Sequence, residues 1–494
     1  MSSIDECARR WLGYPGPWKR ALASVLMAGM SACSLAPDGH RPPLPTPASY
    51  SVASAEGGSI ARIGWRDVFR EPELQHLIDT ALANNRDVRI AAARVAEARA
   101  AWRIDGASLY PQLDAVATGA RGRTLYNLPQ VGVLPVDVRQ VSAQLSASWE
   151  IDFWGRLGNL RDAARWRYLA TEEARRGVAS QLIAQVANGY LLERGYEERV
   201  ALARHSIATR EDALRIMRRR YEIGSGSKLD MTQAQALLGQ ARTTLQGLER
   251  DRAVNRNALA LLVGAPVEIA PGSLSLTEAP ENLSPPAGLP SDLLVNRPDI
   301  IAAEHQLRAA EADVGAARAA FLPNISLTGA YGAMSDDLDS LLSGGTEVWN
   351  FAPTIAVPLF NAGRLKGNRD VALARREQAV AEYEQTIQSA FRDVSDALVR
   401  RQLLQQQITT TREILEAQRE RARLAQLRFD NGRSAYLEVL DAQRDLFDAE
   451  QGLVELRRAE LASIVSLYAA LGGGFASNPT FDTPSSDANK GQNP

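Results

Sequence analysis

One cysteine near the amino terminus stands where a lipid could be attached. Lys19 and Arg20 precede an apolar stretch at 21–30, and small residues lead from there to Cys33. A basic region, an apolar segment and small residues before a cleavage point are typical of a secretion signal. A cysteine directly after them predicts a lipoprotein signal at 1–32 and lipidation of Cys33. The alternative is an ordinary secretory signal followed by an unmodified cysteine.

The other residues that often carry chemistry do not form a catalytic or metal-binding pattern. The chain has four histidines, which are scattered and lack the spacing of metal ligands: His40, His76, His205 and His305. The Gly-Ser run at 224–228 follows a helical pattern rather than a strand, unlike a phosphate-binding loop. We therefore expect no enzymatic activity, no cofactor and no bound metal. A formal net charge of −2 over 494 residues gives no reason to expect nucleic acid as a partner.

Three carboxylates follow turns that contain glycine, one after Gly224 and two after Gly432: Asp230, Glu438 and Asp441. Glu438 and Asp441 are three residues apart, so a shared helix face is plausible. Carboxylates near a helix start also interact favourably with the helix dipole. Solvated surface charges are therefore the alternative to a functional role.

These residues belong to a duplicated unit. Gly155 to Leu157 and Gly264 recur 208 residues later, at Gly363 to Leu365 and Gly472. Long packed helices keep their length whereas loops drift, so this constant spacing indicates helices. Up to Pro111 the spacing is 212 residues instead. The four-residue difference therefore falls between Pro111 and Gly155, in a different kind of structure.

Between these two points the hydrophobic period changes to two. Apolar and polar residues alternate at 138–153 and, in the second copy, at 324–331 and 349–359, with a weaker strand at 113–117. About 9 to 11 residues cross a bilayer as a tilted strand. An antiparallel sheet on a soluble core is the alternative, but terminal aromatic residues and the lipoprotein leader favour lipid. The predicted β-hairpins span about 111–153 and 323–360.

A long helical pattern follows each predicted hairpin. Val186, Val200, Ile207, Leu214 and Tyr221 recur in one seven-residue register, which Glu193 interrupts in the first copy and Arg401 in the second. Such a repeat predicts left-handed coiling against neighbouring helices. A helix of nearly seventy residues would be roughly 100 Å long. The predicted long helices span about 155–223 and 363–431, and the return helices about 229–264 and 437–472.

The remaining segments give the domain order. An extended segment at 33–72 precedes repeat 1 at 73–264, a proline-rich linker at 265–292 leads to repeat 2 at 293–472, and 473–494 is predicted to be disordered. Two hairpins supply four strands, which cannot close a barrel. Because open strand edges are not tolerated in hydrocarbon, protomers are predicted to share one barrel.

Four motifs resemble a known family. They are WEIDFWGR at 149–156, RPDIIAAE at 297–304, GAARAAFLP at 315–323 and PLFNAGR at 358–364. Together they resemble the outer-membrane factors, the TolC-like exit ducts of tripartite efflux systems. The lipidated start and the first motif resemble in particular the NodT-type lipoprotein branch, which serves resistance-nodulation-division pumps.

The resemblance implies an α+β membrane protein of the outer membrane. A homotrimer would form a twelve-stranded β-barrel, four strands per protomer, that continues into a long periplasmic α-helical coiled-coil barrel with a mixed equatorial domain. The implied partners are a periplasmic adaptor, an inner-membrane resistance-nodulation-division transporter and outer-membrane lipid. The implied function is a passive exit duct. Open alternatives are an exit duct for type I protein secretion or metal efflux, and a non-conducting structural envelope lipoprotein.

The resemblance also implies roles for residues at the far ends of the long helices. Acidic rings at a periplasmic gate would come from Asp230, Glu438 and Asp441, which a trimer would bring close together. Contacts to the adaptor would come from Arg220, Tyr221, Ile223, Gly224, Arg428, Phe429, Asn431, Gly432 and Ser434. The alternative for both glycines is that they only terminate helices.

Overall fold

A computed structural model describes residues 63–128, 132–272 and 290–473, together with 35–37, 42–43, 45–47, 49–50 and 276. The predicted signal at 1–32, Cys33, most of the linker and the tail beyond 473 lie outside the described residues. The chain divides into two compact units. Among the described residues, the first contains 35–37, 96–169 and 305–381, and the second contains those from 42 to 95, from 170 to 304 and from 382 to 473.

The first unit contains one antiparallel sheet of four strands in the order β1-β2-β3-β4. The strands are β1 Gln112–Leu128, β2 Gly132–Ile151, β3 Asn324–Ser335 and β4 Glu347–Ala356. The two hairpins join because β2 pairs with β3, from Val141 opposite Ser335 to Ile151 opposite Ile325. Within the described chain, the outer edges of β1 and β4 pair with no further strand.

The strands differ in extent from the alternation in the sequence. β2 begins at Gly132, six residues before the predicted alternation, whereas β4 ends at Ala356 and leaves Val357 and Leu359 outside the sheet. The last pair of β4 joins Ala356 to Asn324, the first residue of β3. Pro323 precedes it and has no N–H to extend the ladder.

One face of the sheet is apolar across all four strands. Ala115 lies opposite Leu145, Leu145 opposite Tyr331, and Tyr331 opposite Trp349. Because side chains alternate between faces, these residues share one side of the sheet. This side is open, and Trp349 is 73% exposed in the protomer. An apolar face of this extent requires an apolar partner or surroundings.

Nine α-helices occur in the described chain: α1 Trp65–Val68, α2 Pro72–Asn84, α3 Arg86–Ala107, α4 Arg156–Glu222, α5 Lys228–Val263, α6 Leu293–Asn296, α7 Pro298–Ala319, α8 Arg364–Asp430 and α9 Tyr436–Ala470. The long helices α4 and α8 both have 67 residues and begin 208 positions apart. The helices α3 and α7 both have 22 residues and begin 212 positions apart. The change of spacing thus falls in the hairpins. None of the described helices combines the length and apolar character needed to cross a membrane.

The motif at 149–156 holds the end of β2 to the start of α4. Arg156 binds Glu150 with its closest contact at 2.7 Å, and the indole N–H of Trp154 donates to the carbonyl of Pro323. The carboxylate of Asp152 accepts the backbone N–H of Leu157 at 3.0 Å, which caps the helix. These contacts fix the direction in which the long helix leaves the sheet.

The second unit has one main core. It combines residues from the segment before repeat 1, from the linker and from the carboxyl-terminal end of repeat 2, such as Trp65, Ile269, Leu276 and Tyr468. Equivalent return helices end in the same way, because Asn85 donates to the carbonyl of Leu262 and Arg297 donates to that of Ala470, each at 2.8 Å.

The charges that interrupt the heptad register are buried. Glu193 is 0% exposed, and one of its carboxylate oxygens accepts from Arg252 at 2.7 Å and Arg256 at 2.8 Å. Burial lowers the pKa of Arg401 at the equivalent position, although the charge of Glu460 opposes this shift. Since a buried charge needs compensation, the residues that interrupt the register are part of the packed interior together with their oppositely charged neighbours.

Candidate functional site

Each long helix ends in the same hydrogen-bonded turn. The N–H of Ser225 donates to the carbonyl of Arg220 at 2.8 Å, and the N–H of Gly224 donates to that of Tyr221 at 3.0 Å. These two bonds form a Schellman motif, which needs a residue with positive φ. Gly224 has φ 77°, and Gly432 has φ 69° in the second turn, where both bonds recur. Helix termination therefore accounts for the two glycines.

The return helices begin differently in the two repeats. The hydroxyl of Ser227 accepts the N–H of Leu229 at 3.0 Å and caps α5. Ala435 stands at the equivalent place before α9 and offers no capping side chain. In the second turn the side chain of Asn431 instead donates to the carbonyl of Leu427 at 2.7 Å.

The two hairpin ends pack together through a small apolar cluster, which we call the tip core. Its buried members are Met217, Ala234, Leu237, Ala425, Tyr436, Val439, Leu440 and Ala442. Tyr436 is 4% exposed, and its ring centroid lies 4.9 Å from that of Phe429. Burial raises the pKa of Tyr436 to about 12, so its phenol is neutral at physiological pH.

The tip core changes which residues of α4 are buried. Tyr221 lies on the predicted heptad register but is exposed, whereas Met217 is buried. The reason is that α4 packs here against the second hairpin. Sequence reasoning missed Tyr436 because the equivalent residue of repeat 1 is Lys228, so the repeat gave no signal at that position.

Equivalent arginines at the ends of α4 and α8 have different partners. The guanidinium carbon of Arg220 lies 5.1 Å from the ring centroid of Phe429, a cation–π contact between the two hairpins. Arg428 instead stays within its own hairpin, with its guanidinium 3.4 Å from the carboxylate of Glu438. The structure thus brings Arg220 together with Phe429, and Arg428 with Glu438.

The three predicted gate carboxylates have separate surroundings in the protomer. Asp441 lies 3.3 Å from Arg444, while Glu438 contacts Arg428. Asp230 is half-buried, and the structure gives it no ion pair within the described part of the chain. Arg444 also binds Asp445 at 3.0 Å. Glu438 and Asp441 are therefore each paired with an arginine rather than with one another.

A charged network continues along α9 from these pairs. Arg421 of α8 donates to Asp445 at 2.6 Å, and this hydrogen bond lowers the pKa of the Asp445 carboxyl. Arg444 adds a second donor to the same carboxylate. The network joins α8 to α9 one turn beyond the predicted gate positions.

Large apolar side chains are exposed around both turns. Ile223 is 61% and Leu229 64% exposed at the first turn. Tyr221, Leu427 and Leu437 are exposed as well. Ser434 is half-buried, and its hydroxyl has no hydrogen-bond partner in the structure as described. Clustered exposed apolar residues beside charged ones indicate a protein interaction surface.

A groove of about 690 Å³ runs between α4 and α5 just above the first turn. Four of its lining residues are arginines: Arg215, Arg218, Arg219 and Arg242. Glu211 binds Arg242 at 2.7 Å and Glu222 lies 3.6 Å from Arg219. Arg218 has no ion pair among the described residues. We call this feature the arginine groove.

The second repeat lacks the features that form the arginine groove. Gln426 stands at the place of Arg218, and Glu450 at the place of Arg242. Phe447 replaces Gly239, which lines the groove, and Phe447 is buried in its own apolar cluster. Sequence analysis missed the groove because it compared residues that the repeats share. The positions that differ between the repeats, such as Arg218 and Gln426, would have indicated it.

The model of the family described as "Outer membrane efflux protein" matches residues 77–265 and 289–473. The toluene efflux pump outer membrane protein TtgI of Pseudomonas putida is 41% identical over 469 residues, which cover 92% of this chain and 97% of TtgI. The cation efflux system protein CusC of Escherichia coli K12 is 38% identical over 92% of this chain and 99% of CusC. The open-state MtrE outer membrane channel of Neisseria gonorrhoeae has a similar structure, with a TM-score of 0.80, 35% identity and coverage of 90% of this chain and 98% of MtrE.

Proposed function

This chain belongs to the outer membrane efflux protein family, and from that premise we propose how its surfaces serve an efflux system. The protein is an outer-membrane exit duct of a tripartite efflux pump, as the family resemblance in the sequence predicted. The family consists of channel proteins and is not a class of enzymes. The observation that carries this function is that the family match covers both repeats, including both pairs of helices and both hairpins.

We infer that three copies close one twelve-stranded barrel. The four strands of the protomer leave two unpaired edges, at β1 and β4. Unpaired backbone groups cost several kcal/mol each in hydrocarbon, so the edges need partners. The open apolar face of the sheet is suited to lipid, and the alternate face, which includes Ser142 and Ser146, would line the lumen.

We propose that the ends of the long helices bind a periplasmic adaptor, which connects the duct to an inner-membrane resistance-nodulation-division transporter. Two features support this role, namely the exposed apolar side chains at the turns and the arginine groove. An adaptor segment with a mixed apolar and acidic surface fits both. Because the groove exists only in the first repeat, the two hairpins would contact the adaptor unequally.

We further propose that Asp230, Glu438 and Asp441 line a gate near the trimer axis. Close approach of carboxylates from three copies would be repulsive, and Arg428 and Arg444 offset their charges within the protomer. Exposed pairs at 3.3 to 3.4 Å hold their partners weakly, so they can exchange. Weak pairs are suited to an aperture that must open when a pump engages.

The relatives are named for different cargo, so we propose that the pump rather than the duct selects the cargo. TtgI is named for toluene efflux and CusC for cation efflux, although both resemble this chain over nearly their whole length. A metal-efflux exit is therefore the second candidate, which the CusC match favours.

The test is reconstitution of the purified, lipidated chain in a planar bilayer. We expect single-channel conductance from a heat-resistant trimer. A monomer, or a trimer that does not conduct, would contradict the duct and favour a structural envelope lipoprotein. Complementation of efflux-deficient cells challenged with an organic solvent or with metal cations would then separate the two cargo classes.

A further inference from the structure

The apolar face of the sheet changes to a basic one at the end remote from the helices. On β1 the residues of this face run from Leu113 to Gly119 and then reach Arg121, and on β2 they run from Ile151 to Val141 and then reach Arg139. Arg121 and Arg139 are direct cross-strand partners. Like charges in such a position repel each other and destabilise the strand pair.

The neighbouring carboxylates leave this repulsion largely uncompensated. Arg123, one row further along the same face, is paired with Asp137 through two hydrogen bonds of 2.7 and 3.0 Å. Arg139 lies 3.7 Å from Asp337, and both side chains are exposed. The structure gives Arg121 no ion pair among the residues that it describes. Both arginine side chains are exposed and therefore retain N–H donors for a further partner.

The position of the pair along the strand places it at the level of lipid head groups. Twelve residues separate Ile151 from Arg139, which is about 40 Å of strand and, at the usual tilt, about 30 Å along the barrel axis. The apolar band of an outer-membrane barrel is about 25 Å tall. This step rests on the proposed function, because it places the strand ends that join the helices on the periplasmic side.

An apolar groove lies on the sheet beside the pair. It has a volume of about 620 Å³, and its lining includes Ala117, Ala143, Leu145, Tyr331 and Leu341. Ala117 precedes Arg121 by four residues and Ala143 follows Arg139 by four, so the groove begins about 13 Å along the strands from the backbone of the arginine pair. A basic pair above an apolar groove fits an amphiphile with an anionic head and an acyl chain.

We propose that Arg121 and Arg139 bind a phosphate of a phosphorylated glycolipid of the outer leaflet, whose acyl chain occupies the groove between the sheet and the β3–β4 loop. Guanidinium groups bind phosphate through short charge-assisted hydrogen bonds. One phosphate between them also removes the cross-strand repulsion. The lipid thereby fixes the depth of the barrel in the membrane.

The experiment measures how much lipid A, a phosphorylated glycolipid, the purified trimer retains in native mass spectrometry. Three samples are compared, namely the natural chain, Arg121→Gln with Arg139→Gln, and Arg123→Gln with Asp137→Asn. The third removes an ion pair on the same face without changing the net charge. We expect Arg121→Gln with Arg139→Gln to bind lipid A about tenfold more weakly than the natural chain, equivalent to about 1.4 kcal/mol. Arg123→Gln with Asp137→Asn should bind it as the natural chain does. Phosphatase-treated lipid A should bind the natural chain about as weakly as intact lipid A binds Arg121→Gln with Arg139→Gln.

Equal binding of lipid A by the natural chain and Arg121→Gln with Arg139→Gln would overturn the proposal. So would equal retention of the dephosphorylated lipid, because the head group would then contribute nothing. If inorganic phosphate at the same concentration displaced lipid A, the site would be one for free anions, and the lipid assignment would be wrong. Bilayer conductance of the variants should stay unchanged. Loss of conductance would contradict the proposed duct, whereas loss of lipid binding alone concerns only the arginine pair.

Discussion

Replacing Tyr436 with alanine is expected to loosen the ends of both helical hairpins. The side chain is 4% exposed, belongs to the tip core and packs against the ring of Phe429 of α8. Truncating a buried aromatic residue to alanine costs about 3 to 5 kcal/mol. Local opening of the tip should therefore become about a hundredfold or more favourable. The main core of the second unit does not include Tyr436, so the trimer should still assemble.

Hydrogen exchange of the backbone amides at 425–442, followed by mass spectrometry, measures this opening. Tyr436→Phe keeps the ring and should preserve protection, whereas Tyr436→Ala should lose it. Lys228→Ala is the matched control, because Lys228 occupies the equivalent position of the first repeat and is exposed. Unchanged protection in Tyr436→Ala would show that the tip core does not hold the hairpins together, and would refute the reasoning.

Four further results are expected. The stabilising effect of the Tyr436 phenol should be complete below pH 10 and lost as the pH rises towards 12, because the unfolded phenol ionises near 10 and the folded one near 12; difference absorbance against Tyr436→Phe measures this titration. Glu438→Ala with Asp441→Ala should raise conductance in a planar bilayer, since the carboxylates that bind Arg428 and Arg444 are removed. Arg218→Glu should weaken binding of the cognate adaptor about tenfold by calorimetry. Gly472→Ala should lower the temperature at which the trimer dissociates, because φ is 101° and the added carbon would lie 2.4 Å from the carbonyl oxygen of Asn296.

The last three of these predictions each have a matched control elsewhere in the chain. Glu416→Ala removes an exposed carboxylate of α8 and should leave conductance as it was. Gln426→Glu introduces the same charge as Arg218→Glu at the equivalent position of repeat 2, where no arginine groove exists, and should affect the adaptor less. Gly452→Ala adds the same carbon where nothing lies within 4 Å. A control that behaved like its partner would contradict the corresponding explanation.

The duplication made much of the architecture predictable. Gly155, Gly224 and Gly264 drew attention because they recur, and in the structure all three adopt positive φ, as do their copies. Glycine recurs at these places because the turns at the ends of the helices need a positive φ, which other residues rarely adopt. The alternation on the strands likewise gave the face of the sheet that is apolar. The family and its outer-membrane efflux function, predicted from four motifs, are confirmed.

The roles of individual tip residues could not be read from the same pattern. Arg220 and Arg428 are identical in the repeat, yet one stacks on Phe429 of the other hairpin and the other pairs with Glu438 of its own. A repeat describes each hairpin in isolation, whereas Arg220 meets Phe429 only through the packing of one hairpin on the other. The gate and adaptor roles stay predictions for the same reason, since they depend on further copies and a partner protein.

The sequence alone determined the helix lengths, the positions of the turns, the two faces of the strands and the family, because these follow from period, spacing and local backbone preference. Only the tertiary structure decided that α4 buries Met217 instead of Tyr221, that Tyr436 joins the hairpins, and that four arginines surround a groove in one repeat only. The physical reason is that local preference acts along the chain, whereas burial in the tip core depends on residues about 200 positions away that meet only after the two repeats have packed together. The groove likewise depends on side chains of α4 and α5 that meet only when the hairpin has formed.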